Sequence, residues 1–159
     1  MNAPTHALRP RTSARAQRGI ATIEFAICAP ILLLLMLATA ELGRALFQYN
    51  TLVKAVRDGA RYAATAATTD GTRTINLTPA IRLQTQNLVV TGNIAGTGGP
   101  LLPNLAAGSV NVTNTGNGFI SVSVSYVYRP MIGARLPTFG FGPAINLSMT
   151  LPATAVMRV

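Results

Sequence analysis

The stretch from Gly19 to Ala40, GIATIEFAICAPILLLLMLATA, leaves this chain few options. Ile20 to Ala40 is 21 residues, and a helix needs about 20 to cross a bilayer. Ten of those residues are Ile, Leu or Phe; at roughly −0.3 to −0.6 kcal/mol each, they supply about −3 to −6 kcal/mol toward insertion. One carboxylate, Glu24, interrupts the run. At the centre of a span it would cost about 3 kcal/mol. It sits only about 6 Å along the axis from Ile20, where the cost is smaller. Insertion wins, and an acid kept in such a segment is a functional candidate.

The charges orient the segment. Residues 1–23 carry Arg9, Arg11, Arg15 and Arg18 and no acid. Positive charge flanking a span stays in the cytoplasm, which sends the rest of the chain across the inner membrane. The net charge of +9 invites a nucleic-acid reading, but beyond the leader there is no dense basic patch, no tryptophan and no interleaving of aromatic with basic residues. Nucleic acid is not an expected partner. The single cysteine, Cys28, lies inside the apolar run, so no intrachain disulfide forms. Ile27 before it does not suit a lipoprotein cysteine, and a small apolar packing residue is the plainer reading.

Three readings of the run stand side by side. Ala38-Thr39-Ala40 has the A-x-A form of a secretory cleavage site, although an acid inside the apolar region is unusual and the helical pattern continues past Ala40. A plain uncleaved signal anchor also fits, but it gives Glu24 no purpose. The third reading takes Gly19 and Glu24 together as a leader site.

Arg18-Gly19 followed by Ile20-Ala21-Thr22-Ile23-Glu24-Phe25 resembles the site cut by prepilin peptidases. The resemblance implies cleavage after Gly19 on the cytoplasmic face, leaving Ile20 as the new amino terminus. Glu24 would then pair with the terminal amine of a neighbouring subunit; a carboxylate in low dielectric needs such a cation. More narrowly, Glu24-Phe25-Ala26, Pro30 and the Arg57–Ala64 segment of the ensuing helix resemble the TadE-like family of pseudopilins, across about residues 18–68. These belong to the tight adherence (Flp) pilus machinery. The resemblance implies an assembly role for Glu24 and Phe25, with a prepilin peptidase and other pilin or pseudopilin subunits as partners.

Beyond the span, Leu42, Leu46, Tyr49, Val53, Val56, Ala60 and Ala63 step by four and three, forming one helical stripe. Arg44, Gln48, Lys54, Arg57 and Arg61 fall on the opposite face. The alanines toward the end of the stripe allow close approach, and the chain's own sheet is the expected cover. A helix over 20–68 would run roughly 70 Å, with Pro30 kinking or opening it. Asp70-Gly71 closes it as a turn or cap.

Residues 69–159 read as a small exported α+β domain. Thr78-Pro79 caps a short helix reaching about Leu88. Gly92 to Pro103 is a Gly/Pro loop, without the Gly-Lys-Ser/Thr of a phosphate cradle. Val110 opens a strand, Asn114 to Gly118 supplies turn chemistry, and Phe119 to Tyr128 alternates apolar with serine. A loop from Arg129 to Pro143 carries Phe139 and Phe141 as an aromatic tip. Ile145 to Leu151 is the last strand.

The expected fold class is thus α+β: a leader over 1–19, a long pilin-like helix over 20–68 that is transmembrane to about Ala40, and an antiparallel sheet of about three strands within 69–159. Catalysis is not expected. His6 is the sole histidine, and Glu41, Asp58 and Asp70 are the only acids beyond Glu24, whereas acid–base chemistry and metal binding need converging ligands. No cofactor or metal is implied. A reading of a different class also stays open: an exported or signal-anchored envelope protein that binds a surface partner without forming pili.

Overall fold

The computed structural model describes residues 14–68, 74–136, 138 and 142–159. Residues 1–13, the Asp70-Gly71 turn and the Phe139-Gly140-Phe141 tip lie outside the described residues. The fold is α+β, a long N-terminal helix followed by a small antiparallel three-stranded sheet.

Helix α1 spans Ala14–Ala66, 53 residues. It starts at Ala14 rather than at Ile20, because the arginine, alanine and glutamine residues ahead of Gly19 are strong helix formers. It continues through Pro30, whose missing N–H removes one bond, that to the Ala26 carbonyl. The chain divides into two units between Thr39 and Ala40, inside α1. In the first, no residue from Gly19 to Thr39 is buried. Among the described residues this one helix is long and apolar enough to cross a membrane.

The second unit, Ala40–Val159, holds the outer part of α1, helix α2 (Pro79–Thr91), a 3₁₀ turn (Ala107–Ser109), and strands β1 (Val110–Gly116), β2 (Phe119–Tyr128), β3 (Arg135–Leu136), β4 (Ile145–Asn146) and β5 (Met149–Arg158). The main sheet has the order β1-β2-β5, with both pairings antiparallel. Gly116 pairs with Phe119, leaving Asn117-Gly118 as a two-residue loop with φ of 51° and 80°. Positive φ at both central positions is the twist a tight hairpin requires. On β2, Ile120, Val122, Val124, Tyr126 and Tyr128 face inward and are buried, as the alternation predicts.

The expected last strand is corrected. Ile145-Asn146 belongs to a separate two-stranded sheet with β3. The Asn146 side chain accepts from the Ser148 N–H at 2.9 Å, a local turn that ends the strand. The third strand of the main sheet starts at Met149 and runs through Pro152 to Arg158. Proline is tolerated there because β5 is an edge strand.

Helix α2 begins as expected: the Thr78 hydroxyl accepts from the Ile81 N–H at 3.2 Å, ahead of Pro79. It ends at Thr91 rather than near Leu88, because Gly92 adopts φ 80° and returns its N–H to the Leu88 carbonyl, the left-handed cap glycine allows. Arg82 and Gln86 donate to the carbonyls of Val112 and Val110 at 3.2 and 3.0 Å. In this way α2 covers the otherwise open edge of β1. The Gly/Pro loop after α2 is less solvated than its composition predicts, since Leu102 and Leu105 are buried in the core.

The buried face of α1 also departs from the stripe read above. Leu42 and Leu46 are more than half exposed, while Glu41 and Gln48 are buried at 6% and 5% exposure. The inward stripe is Glu41, Ala45, Gln48, Leu52, Val56, Ala60 and Ala63, rotated by one residue over its first half. Lys54, Arg57 and Arg61 do face solvent. Ala60 and Ala63 share the buried core with the inward residues of β2, and α1 also comes close to α2: a Cβ built on Gly59 would lie 2.4 Å from Val89 Cγ2.

Candidate functional site

The residues expected to serve processing and assembly, Gly19, Ile20, Glu24 and Phe25, all lie on the exposed first unit of α1. A side chain at Gly19 would meet open space, so packing within the chain does not demand glycine there. Ile20 and Phe25 are 67% and 70% exposed, and Glu24 is exposed too. Ile20 and Glu24 are one turn apart and share a face, while Phe25 points about 100° away. Every one of these side chains is left facing outward, available to lipid or to another molecule.

A second polar cluster, in the Ala40–Val159 unit, escaped the sequence reading. The Tyr128 hydroxyl donates to the Glu41 carboxylate, and the Met131 N–H donates to the same oxygen, Glu41 Oε1, at 3.1 Å. Two donors offset the cost of burying this carboxylate. One turn further along α1 the Arg44 guanidinium carries a buried Nη1 with no hydrogen-bond partner. At Gln48 the side-chain carbonyl accepts from the Tyr126 hydroxyl at 2.9 Å, a hydroxyl that also lies 3.0 Å from the Pro103 carbonyl.

The phenols respond to these surroundings. Burial, then the hydrogen bond to Glu41 and its negative charge, push Tyr128 up from 10.0 to about 12. Burial also raises Tyr126, against the opposing pull of Arg44 and Arg129. Two signals in the chain could have disclosed the cluster. Glu41, Arg44 and Gln48 recur at helical spacing, and tyrosines replace valines at the end of the inward face of β2.

Among the described residues no group of three His, Cys, Asp or Glu side chains converges. A shallow cleft of about 310 Å³ lies beside the second cluster, lined by Asn104, Ser109, Ser125, Tyr126, Val127 and Arg129. It offers a guanidinium and hydroxyls but no acid or histidine.

The helix with its exposed acid has a counterpart among known proteins. Residues 19–61 match the TadE-like protein family. The match begins at Gly19, takes in Glu24, Phe25 and Pro30, and ends at Arg61. The TadE-like segment therefore covers the apolar run and most of the outer part of α1, including Glu41 and Gln48. It stops short of α2 and the sheet. No curated protein and no solved structure matches the chain.

Proposed function

We propose that the chain is a non-enzymatic pseudopilin-like subunit of tight adherence pilus biogenesis, anchored in the inner membrane by α1 with its C-terminal unit exported. The single observation that carries this reading is the TadE-like match opening at Gly19, with Glu24 exposed on an apolar helix five residues later. A prepilin peptidase cuts between Gly19 and Ile20. Glycine costs a helix about 1 kcal/mol relative to alanine, which eases opening of the backbone there for cleavage. The freed Ile20 amine of one subunit then neutralises Glu24 of another, with Phe25 packing alongside, and Pro30 supplies the local adjustment. The role is assembly, and through it adhesion to surfaces.

The secretory reading is weakened by the fold. Release after Ala40 would place a charged amino terminus on Glu41, which is 6% exposed and accepts two hydrogen bonds at Oε1. It would also sever the core helix from its anchor. N-terminal sequencing of the protein purified from membranes tests the proposal. A start at Ile20 is expected; an intact leader would reduce the chain to a plain anchored protein, and a start at Glu41 would mean secretion.

A further inference from the structure

The residues just past the apolar run form an exposed surface of one character. Leu42, Leu46 and Phe47 are 59%, 55% and 71% exposed on α1. The loop following β2 adds Met131 and Ile132, 79% and 36% exposed, beside the exposed Arg129. That loop is held to the helix, because the Met131 N–H donates to Glu41 Oε1 at 3.1 Å. Glu41 is the next residue after Ala40, the last of the apolar run. Leu42 and Leu46 then stand only about 3 and 9 Å along the helix from that end, inside and at the outer limit of the polar layer about 5–8 Å deep that flanks a bilayer core.

We propose that this surface docks on the exported leaflet of the bilayer that α1 spans, with Met131 and Ile132 inserted at the level of the acyl boundary and Arg129 on lipid phosphates. The inference rests on the membrane-spanning reading of α1 but not on pilus assembly. Continuity with the span selects lipid as the occupant: Glu41 directly follows the apolar run in the chain and holds the loop by the Met131 N–H. Charge agrees, since residues 74–159 contain arginines and no Asp or Glu to repel an anionic headgroup. The Glu41 carboxylate, buried and doubly bonded, does not face the lipid. The contact would hold the exported unit against the membrane before any assembly step draws it out.

The test uses the full chain in proteoliposomes containing phosphatidylglycerol, with Cys28→Ser and one nitroxide-labelled cysteine at a time. Label sites are Met131→Cys, Leu35→Cys inside the run, and Thr115→Cys at the far end of the β1–β2 hairpin, about 30 Å away along β2. The Met131→Cys label is expected to be accessible to oxygen, shielded from an aqueous nickel chelate, and about 5–10 Å below the phosphates. The Thr115→Cys label should behave as water-exposed. Arg129→Gln should lower the ratio of docked to undocked label about fivefold; an unchanged ratio would overturn the phosphate contact. Aqueous behaviour at Met131→Cys with lipid behaviour at Leu35→Cys would overturn the docking while leaving the span intact. Shielding from both reagents with spin–spin broadening would mean a second copy covers the surface, which also overturns it. Aqueous behaviour at Leu35→Cys would remove the span and the docking together.

Discussion

Tyr128, at the end of β2, donates its phenolic proton to Glu41, the first residue of α1 beyond the apolar run. The bond crosses 87 positions of sequence and ties the sheet to the root of its core helix. Because Tyr128 is pushed up to about 12, the folded state keeps a proton that an unfolded tyrosine begins to lose near pH 10. Stability from this group is therefore full below about pH 10 and is lost as pH rises toward about 12. Urea unfolding of the full chain in micelles should show a loss on the order of 2 kcal/mol across that window. Tyr128→Phe should flatten the slope while lowering stability at neutral pH, because Glu41 loses a donor. An unaltered alkaline slope in that variant would assign the effect to another group.

Gly59 sets the distance between α1 and α2. In Gly59→Ala the new methyl would meet Val89 Cγ2 at 2.4 Å, so the Val89 side chain or one of the helices has to shift. A destabilisation of about 1–3 kcal/mol is expected, as for other overpacked contacts. Combining it with Val89→Ala should cost less than the two single changes added together. Simple additivity in thermal unfolding would show that the helices do not meet there.

Glu24→Ala removes the acid from the apolar run and should leave membrane insertion intact or improved, since the substitution saves up to about 3 kcal/mol of insertion cost. What should fail is incorporation into pilus assemblies, read by shearing and blotting. Normal pilus production by this variant would contradict the role given to Glu24.

If the proposed cleavage after Gly19 holds, Gly19→Leu should leave a longer, uncut form on a gel, since a side chain there would meet open space and packing within the chain does not demand glycine. Migration identical to the unaltered protein would contradict cleavage after Gly19.

At the start of α2, Thr78→Ala deletes the bond to the Ile81 N–H. A cost of about 1 kcal/mol is expected, visible as a lower urea midpoint with an unchanged slope. Serine at the same position should restore most of it.

The elements legible in the chain are those governed by neighbours in sequence. The apolar run announces a helix long and apolar enough to cross a membrane, because hydropathy is a sum over local residues. The Thr78-Pro79 start of α2, the Asn117-Gly118 turn and the alternation of β2 follow from backbone constraints within a few residues. The same locality explains the misreadings. Ile145 to Leu151 alternates like one strand, yet an Asn146 side-chain turn divides it, and only pairing with β2 reveals where β5 begins.

Helical periodicity specified that one stripe of α1 would be buried, but which stripe was settled by partners far along the chain. Leu42 and Leu46 look inward by hydropathy, and Glu41 and Gln48 look outward. The hydroxyls of Tyr126 and Tyr128, with the Met131 N–H, satisfy the polar pair inside the unit and leave the leucines outside. Hydrogen-bond satisfaction across the fold overruled local polarity, because a polar group is costly inside only when it lacks a partner, and no window of sequence contains both members of these pairs.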